Sequence, residues 1–537
     1  MKTLKLVGLS ILGGLLMGIS WPATGSFAPV FFIALLPLLY IEYTISQNKE
    51  KYSSWHLFFI IYLGFLTFNT YTTFWIWHAS EFGMIMAVVL NSLFMSTLFL
   101  WFHNIKKKLG SFRGYFSLVT LWLGFEWLHY NWEMSHPWST FGNTFADHPK
   151  LIQWYEYTGV LGGSLWILVS NIVIFEVLKN IFILEKNFKS QLKSISFITI
   201  WIVAPILFSV NTYYSYTEKE NPIEVVLIQP NIDPFKDKFG GMTEAEQVDR
   251  IISLAEQKVT KNTKYIIAPE TALPRGCEED LLEHNFGIQR IRQLTSKYPK
   301  SNFIVGANTY INYNANDFPD EKPTSTARHS RNGDGWYDYF NTALMVNQEN
   351  DIQIYHKSKP VLGVERMPFA SILNLIGDFA IDLGGTTGSI GLQDSATNFI
   401  DNNQQVAPII CYESIYGEYF SEFVLGGAQA CFIITNDGWW RDTPGYKQHL
   451  AYGQLRAIES RRSIARSANT GISCFINQRG DISLPTEWWV PDVIKANINL
   501  NNHITFYSKH GDIIGRVSAF LAIMMLLWNI VISIKRK

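Results

Sequence analysis

From the N-terminus to about position 212 the chain is a succession of apolar runs with short polar gaps, and nothing else limits its fold so strongly. A helix needs about 20 apolar residues to cross a bilayer, where every backbone polar group must be satisfied inside the segment. Eight runs qualify, at roughly 4–22, 27–45, 57–77, 84–103, 115–130, 159–178, 194–211 and 517–534. Between the last two lies a stretch of ordinary charge, about 221–503. The mean hydropathy of +0.06 and the 17% of charged residues therefore average two unlike regions. We read 1–212 as a seven-helix transmembrane region, 221–503 as a water-facing domain and 517–534 as an eighth span. Lys2 and Lys5 precede an apolar core as in a signal peptide, but no small-x-small site comes before Trp21-Pro22 and another run follows at once. The first span is therefore expected to be retained.

Basic residues set the orientation. With the N-terminus inside, the inner loops carry Lys49 and Lys51, then Lys106, Lys107, Lys108 and Arg113, then Lys179, Lys186, Lys189 and Lys193. The terminal Lys535, Arg536 and Lys537 also fall inside, whereas the outer loops of the first bundle carry Lys150 alone. This places the domain outside the cytoplasm. Trp75, Trp77, Trp127 and Trp132 lie near span ends, as interfacial aromatics do. Glu126 lies within a span, where a charge is costly and marks an interhelical contact or a lipid path. The net charge of −1 gives no reason to expect a nucleic-acid partner.

Short apolar strands alternate with helical patterns in 221–503, which predicts an α/β domain whose sheets are covered by helices. Strands are expected at 223–229, 265–268, 303–306, 343–347, 352–355, 406–410, 430–435 and 472–476. Helices are expected at about 243–259 and 447–466, and 312–338 reads as a long loop.

Three reactive groups fall where a strand ends. Glu270 follows Ala268-Pro269, Lys357 follows Tyr355-His356, and Cys411 follows Ile409-Ile410. A thiol beside a cation ionises and attacks carbonyls; a carboxylate moves protons for it; an ammonium holds the developing oxyanion. Each alone has a plainer reading, as a small core residue, a turn carboxylate or a surface lysine.

The order of these pieces is what distinguishes them. Pro269-Glu270, Tyr355-His356-Lys357, Cys411-Tyr412-Glu413 and Asn436-Asp437-Gly438-Trp439 together resemble the signature of the nitrilase, or carbon–nitrogen hydrolase, superfamily. Set between a seventh and an eighth span, they resemble the apolipoprotein N-acyltransferase family. Trp122 to Trp127, Pro137-Trp138, Gln448-His449, Arg456 to Glu459 and Arg466 to Gly471 extend the likeness over nearly the whole chain. The resemblance implies an α-β-β-α sandwich attached to the helical bundle. It implies Cys411 as nucleophile and acyl carrier, Glu270 as general base and Lys357 as oxyanion holder, with Glu365, Glu413 and Tyr412 in support. It also implies a phospholipid acyl donor, a diacylated apolipoprotein acceptor, a ping-pong reaction and a bacterial inner-membrane location with the domain in the periplasm.

The chain departs from the family where Val361-Leu362-Gly363-Val364-Glu365 replaces a common Val-Pro-Phe-Gly-Glu, and where Gly438-Trp439-Trp440 replaces Ala-Trp-Phe. Loops 234–242, with Phe235 and Phe239, and 361–390, with Phe369, Leu373, Leu375 and Ile376, are candidates to cover a thioester and contact lipid. Cys277, Cys431 and Cys474 lack metal-ligand spacing, and no cofactor is expected; Cys431 and Cys474 read as core, while Cys277 is free or paired. His449 and Arg456, at helical spacing, read as structural or site-lining. Two other functions compete: a tethered amidase acting on a soluble amide with the same three residues, against which the eight spans weigh, and a non-catalytic lipid- or lipoprotein-binding module that has kept the fold, against which the intact Glu270, Lys357 and Cys411 weigh.

Overall fold

The computed structural model describes residues 2–314, 318, 322–330, 335–348, 351–366 and 390–535. They form two compact units, one of residues 1–77, 81–216 and 510–537 and one of 78–80 and 217–509.

The first unit is helical. Its long helices are α1 (Lys2–Ser20), α2 (Leu36–Gln47), α3 (Ser54–Thr73), α4 (Glu81–Leu109), α5 (Ser111–Asn131), α6 (Tyr155–Leu178), α7 (Leu192–Ser215) and the C-terminal Ile513–Lys535. Among the described residues seven helical segments are long and apolar enough to cross a membrane. The remaining predicted span, 115–130, is helical as α5, but Arg113, Glu126 and His129 make it less apolar, and it packs against α4, α6 and the C-terminal helix. On α7, Ile200 is 65% and Leu207 63% exposed, a side-chain surface that only an apolar surrounding stabilises. Helices α1 and α3 approach closely because Gly14 has no side chain: a Cβ there would lie 2.3 Å from the Gly64 carbonyl oxygen.

Two basic residues assigned to inner loops are ion-paired. Lys106 pairs with Glu42, which also holds the His103 ring at 2.9 Å, and Lys179 pairs with Glu176, which accepts from Tyr115 at 2.7 Å. Glu126 meets a polar contact: its Oε1 accepts from the Phe141 backbone N–H at 2.8 Å and the Trp122 indole at 3.1 Å. Trp75 is buried against Trp138, ring centroids 4.8 Å apart, and so fills the bundle, whereas Trp77 is 45% exposed.

The second unit has two sheets between layers of helices. Its strands are β1 (Pro222–Gln229), β2 (Thr263–Ile267), β3 (Leu273–Glu278), β4 (Asn302–Asn314), β5 (Arg328–His329), β6 (Gly335–Val346), β7 (Gln353–His356), β8 (Phe399–Asp401), β9 (Gln404–Ile410), β10 (Ala430–Thr435), β11 (Ser463–Ala468), β12 (Cys474–Ile476), β13 (Ile482–Ser483) and β14 (Asp492–Asn499). One sheet runs β14-β1-β2-β4-β6-β5, with β3 on β4 and β7 on β6; the other runs β13-β12-β11-β10-β9-β8. Parallel β1, β2 and β4 centre the first sheet, and parallel β9, β10 and β11 centre the second.

Helices α8 (Glu244–Lys258) and α9 (Phe286–Lys297) bury Val248, Ile251, Ile288 and Ile291 on the first sheet with Val226, Ile266 and Phe303. Each such side chain contributes about 1.5–3 kcal/mol by leaving water. Helix α8 starts where Thr243 and Glu246 cap each other, the threonine N–H donating to the glutamate at 2.7 Å. The two sheets meet face to face, Tyr265 against Phe432 at 5.0 Å. Helices α10 (Gly417–Leu425) and α11 (Pro444–Ser460) complete the α-β-β-α sandwich that the resemblance implied.

Two sequence expectations need correction. The 447–466 helix ends at Ser460, because Arg461 turns left-handed (φ 50°) and the chain re-enters as β11. The 312–338 loop is partly strand: β4 and β6 remain paired out to Asn314 opposite Gly335.

Candidate active site

Strands β2, β7 and β9 end next to one another, and each delivers one polar side chain just past its last residue. After β2, the Glu270 carboxylate is 6% exposed. Its Oε1 accepts from Asn341 Nδ2 at 2.8 Å and from Lys357 Nζ at 3.3 Å, and its Oε2 accepts from the Asn436 N–H at 3.0 Å. After β7, Lys357 is 1% exposed and also reaches Glu365 Oε1 at 2.8 Å. Burial works against the Lys357 cation, but the charges of Glu365 and Glu270 outweigh it and hold its pKa above the ordinary value. It is an ammonium at any working pH.

After β9, Cys411 has φ 50°, a left-handed conformation that costs a non-glycine residue about 1–2 kcal/mol. Thr435 lies 3.2 Å from its sulfur, and His449 Nε2 and Ser414 Oγ lie 3.1 and 2.8 Å from its carbonyl oxygen. Burial first, then the Glu270 charge, push the Cys411 thiol well above its usual range, against the pull of Lys357. Deprotonating the sulfur therefore calls for a base close by.

Supporting groups surround these three. Glu365 accepts from the Val361 N–H at 2.7 Å and shares Asn341 Nδ2 with Glu270, at 3.1 Å. Glu413 is fully buried and accepts from the Tyr355 hydroxyl and the Ser358 N–H, both at 2.7 Å, and from the Ile410 N–H at 2.8 Å. It thereby ties the turn after β7 to the turn after β9. Burial raises its pKa to about 7, against those donors. Tyr412 follows Cys411 in the chain, with its ring 5.5 Å from that of Tyr416.

Gly306 on β4 lets the Glu270 segment lie where it does. A Cβ there would fall 2.5 Å from Glu270 Cα and 2.6 Å from the Pro269 carbonyl oxygen. The next residue, Thr271, has φ 49°, an outlier for a β-branched side chain.

Several groups here carried no signal in the sequence. Asn341 is one polar residue in a long strand, and Lys238 is one of many lysines. Asp437 pairs with Arg466 and, at 3.0 Å, with His449, the ring that backs the Cys411 carbonyl; the charge of Arg466 keeps Asp437 well below the usual carboxylate range despite burial. Arg456 makes structural contacts, donating to the Ile415 carbonyl at 2.9 Å and to Glu459. All four cysteines are unpaired, with Cys431 and Cys474 wholly buried in strands. Phe235 and Phe239 are each 48% exposed on loop 234–242; Phe369, Leu373, Leu375 and Ile376 lie outside the described residues. Among the described residues no cluster of His, Cys, Asp and Glu could hold a metal ion.

A strand-end Cys, Glu and Lys in an α-β-β-α sandwich define a carbon–nitrogen hydrolase domain, and the family model of that description, carbon-nitrogen hydrolase, matches residues 225–506. The model described as the apolipoprotein N-acyltransferase N-terminal domain matches residues 13–173. An apolipoprotein N-acyltransferase of Chlorobaculum tepidum is 30% identical over 529 residues, 96% of this chain and 94% of the relative. One of Geobacter metallireducens is 25% identical, covering 94% and 91%. The chain belongs to the apolipoprotein N-acyltransferase family, and it is a membrane protein. A solved Nesterenkonia amidase is 12% identical over 55% of this chain and 95% of that one, with a TM-score of 0.36, too slight a likeness to carry an argument.

Proposed function

We propose that the protein transfers an acyl chain from a phospholipid to the α-amino group of a diacylglyceryl-cysteine at a lipoprotein N-terminus, through a thioester on Cys411. The observation that carries this reading is the meeting of Cys411, Glu270 and Lys357 at three strand ends in a chain that, among the described residues, also has seven membrane-length helical segments. Near full-length likeness to relatives named apolipoprotein N-acyltransferase supports it.

In the first half-reaction Glu270 takes the Cys411 thiol proton as the sulfur attacks the acyl ester carbon. The Lys357 ammonium holds the oxyanion. The ester C–O bond then breaks, and the lysophospholipid leaves with the proton from Glu270. In the second half-reaction the amine nitrogen attacks the thioester and yields a proton to Glu270; the C–S bond breaks, and the thiolate regains a proton. The reaction is ping-pong. With its pKa raised by burial and by the Glu270 charge, the Cys411 thiol calls for a base in the first half, and Glu270 lies close enough to act on it.

Both substrates are lipid-anchored, and in the chain apolar helices precede and follow the catalytic unit. We place the protein in a bacterial inner membrane with this unit on the periplasmic side, following the basic residues of the inner loops. Residues 1–212 and 517–534 then form the membrane part, and 221–503 the catalytic domain. Glu365 braces Lys357, and Glu413 and Tyr412 shape the turn that presents Cys411.

Mass spectrometry of lipoprotein N-terminal peptides from cells with and without the protein tests the reading. N-acylation that disappears with the protein is expected; unchanged N-acylation contradicts it.

A further inference from the structure

Lys238 is a buried cation that these steps leave unused. It is 3% exposed and lies on the turn Asp237–Gly241 within loop 234–242. Its ammonium donates to the Glu270 carbonyl oxygen at 3.3 Å and to the Thr271 hydroxyl. Those are the backbone of the proposed base and the strained residue after it. A β-branched residue stays left-handed only where its surroundings hold it there. Gly306 makes the room, and Lys238 supplies the bond.

The same loop reaches the other side of the site. Phe235 packs edge-on against Trp439 at 5.3 Å, and the Arg441 guanidinium lies 5.6 Å over its ring. The Gln247 amide holds the loop to α8, donating to the Lys238 carbonyl at 2.9 Å. Beneath the loop lies a cavity of about 220 Å³, lined in part by Lys238, Phe239, Gln247 and Pro274. The loop is thus pinned at the base and at Trp439, carries two half-exposed phenyl rings, and has open space behind it.

We propose that Lys238 is a positioning residue for Glu270: it clasps the Glu270 carbonyl and the Thr271 hydroxyl from loop 234–242, so that seating the loop over an acyl chain and setting the base are one event. This rests on the reading of Glu270 as base and Cys411 as acyl carrier. Burial lowers the Lys238 pKa to about 8, with the Glu270 charge opposing, so the clasp is charged at neutral pH. The ionisable groups around the base are then Lys357 and Glu365 from the turn after β7, Cys411 from the turn after β9, and Lys238 from the loop. Without Lys238, one ammonium is left among two carboxylates and a thiol, and the cluster keeps a proton to higher pH.

The test uses the full-length protein in detergent micelles containing a phospholipid with a labelled acyl chain. It reads Cys411 acylation against pH, and then the split between transfer to a diacylglyceryl-cysteine peptide and release as free acid. Lys238→Met should slow acylation about 10–100-fold, move the acid limb of the profile to higher pH and raise the hydrolysed fraction. Lys238→Arg should restore most of the rate. Thr271→Val, which removes only the hydroxyl, should slow it less, and the double variant should be no slower than Lys238→Met. A Lys238→Met protein with the wild-type rate and profile overturns the proposal. So does a loss equal at every pH that arginine does not rescue, or a double variant whose losses add. If Lys238→Met does not fold, Thr271→Val and Lys238→Arg decide alone: wild-type behaviour in the first, or none in the second, overturns it. A wild-type protein that never acylates Cys411 contradicts the proposed reaction instead, which separates the two failures.

Discussion

Glu270 receives three hydrogen bonds on two oxygens, from Asn341, Lys357 and the Asn436 N–H. Glutamine there removes the proposed base and turns an amide NH2 toward a donor, so Glu270→Gln should lower kcat/KM by about 10²–10⁴-fold in a folded but less stable protein; activity within a few-fold of wild type would remove Glu270 from the reaction. Gly306→Ala should be nearly as harmful, since a methyl 2.5 Å from Glu270 Cα displaces the base. Glu413 allows a pH prediction with a definite sign. Burial raises its pKa from 4.5 to about 7, so between those values the folded protein binds more protons than the unfolded one. Stability from this group is complete below about 4.5, falls as pH rises, and levels off above about 7, a loss on the order of 3 kcal/mol. Thermal unfolding midpoints from pH 5 to 8 should show that slope in the wild type and a flatter one in Glu413→Gln. Equal slopes would mean the group titrates normally.

At the scale of elements, the proposed catalytic groups sit at strand ends, and loop 234–242 is proposed to cover them. A thioester survives only where water is excluded, and Phe235 and Phe239 present apolar surface on the loop that also holds the base. Replacing both with serine should shift acyl flux from transfer toward hydrolysis, read as labelled free acid per turnover; an unchanged ratio would leave these rings without a covering role. The strand ends were legible in sequence because a short apolar run followed by Pro-Glu, a lysine or Cys-Tyr-Glu is a local pattern. The inner ends of β4 and β6 were legible as apolar runs, but their outer ends, paired out to Asn314 opposite Gly335, were hidden by an Asn-, Asp-, Pro-, Ser- and Gly-rich segment that reads as loop. Arg461 continued a helical pattern, and only its left-handed backbone ends α11. Asn341 and Lys238 act through distant partners, 71 and 32 residues away for the Glu270 contacts, so no window of sequence reveals them.

Over the whole molecule, the helical region was legible from length and apolarity alone, since bilayer thickness permits few alternatives. Helix α5 was the ambiguous case, its polar residues satisfied by neighbours that a hydropathy pattern cannot see. Orientation is testable because all four native cysteines are buried. A membrane-impermeant maleimide applied to intact cells, with the outer membrane permeabilised, should label Asp280→Cys and spare Lys186→Cys; the reverse would invert the topology. The central claim is that Cys411 carries the acyl chain. The direct measurement is the mass of the Cys411 peptide after the purified protein meets labelled phospholipid without acceptor. An added acyl mass is expected, one that hydroxylamine removes and a diacylglyceryl-cysteine peptide discharges as N-acyl product. An unmodified Cys411 under conditions in which N-acyl product still forms would contradict it.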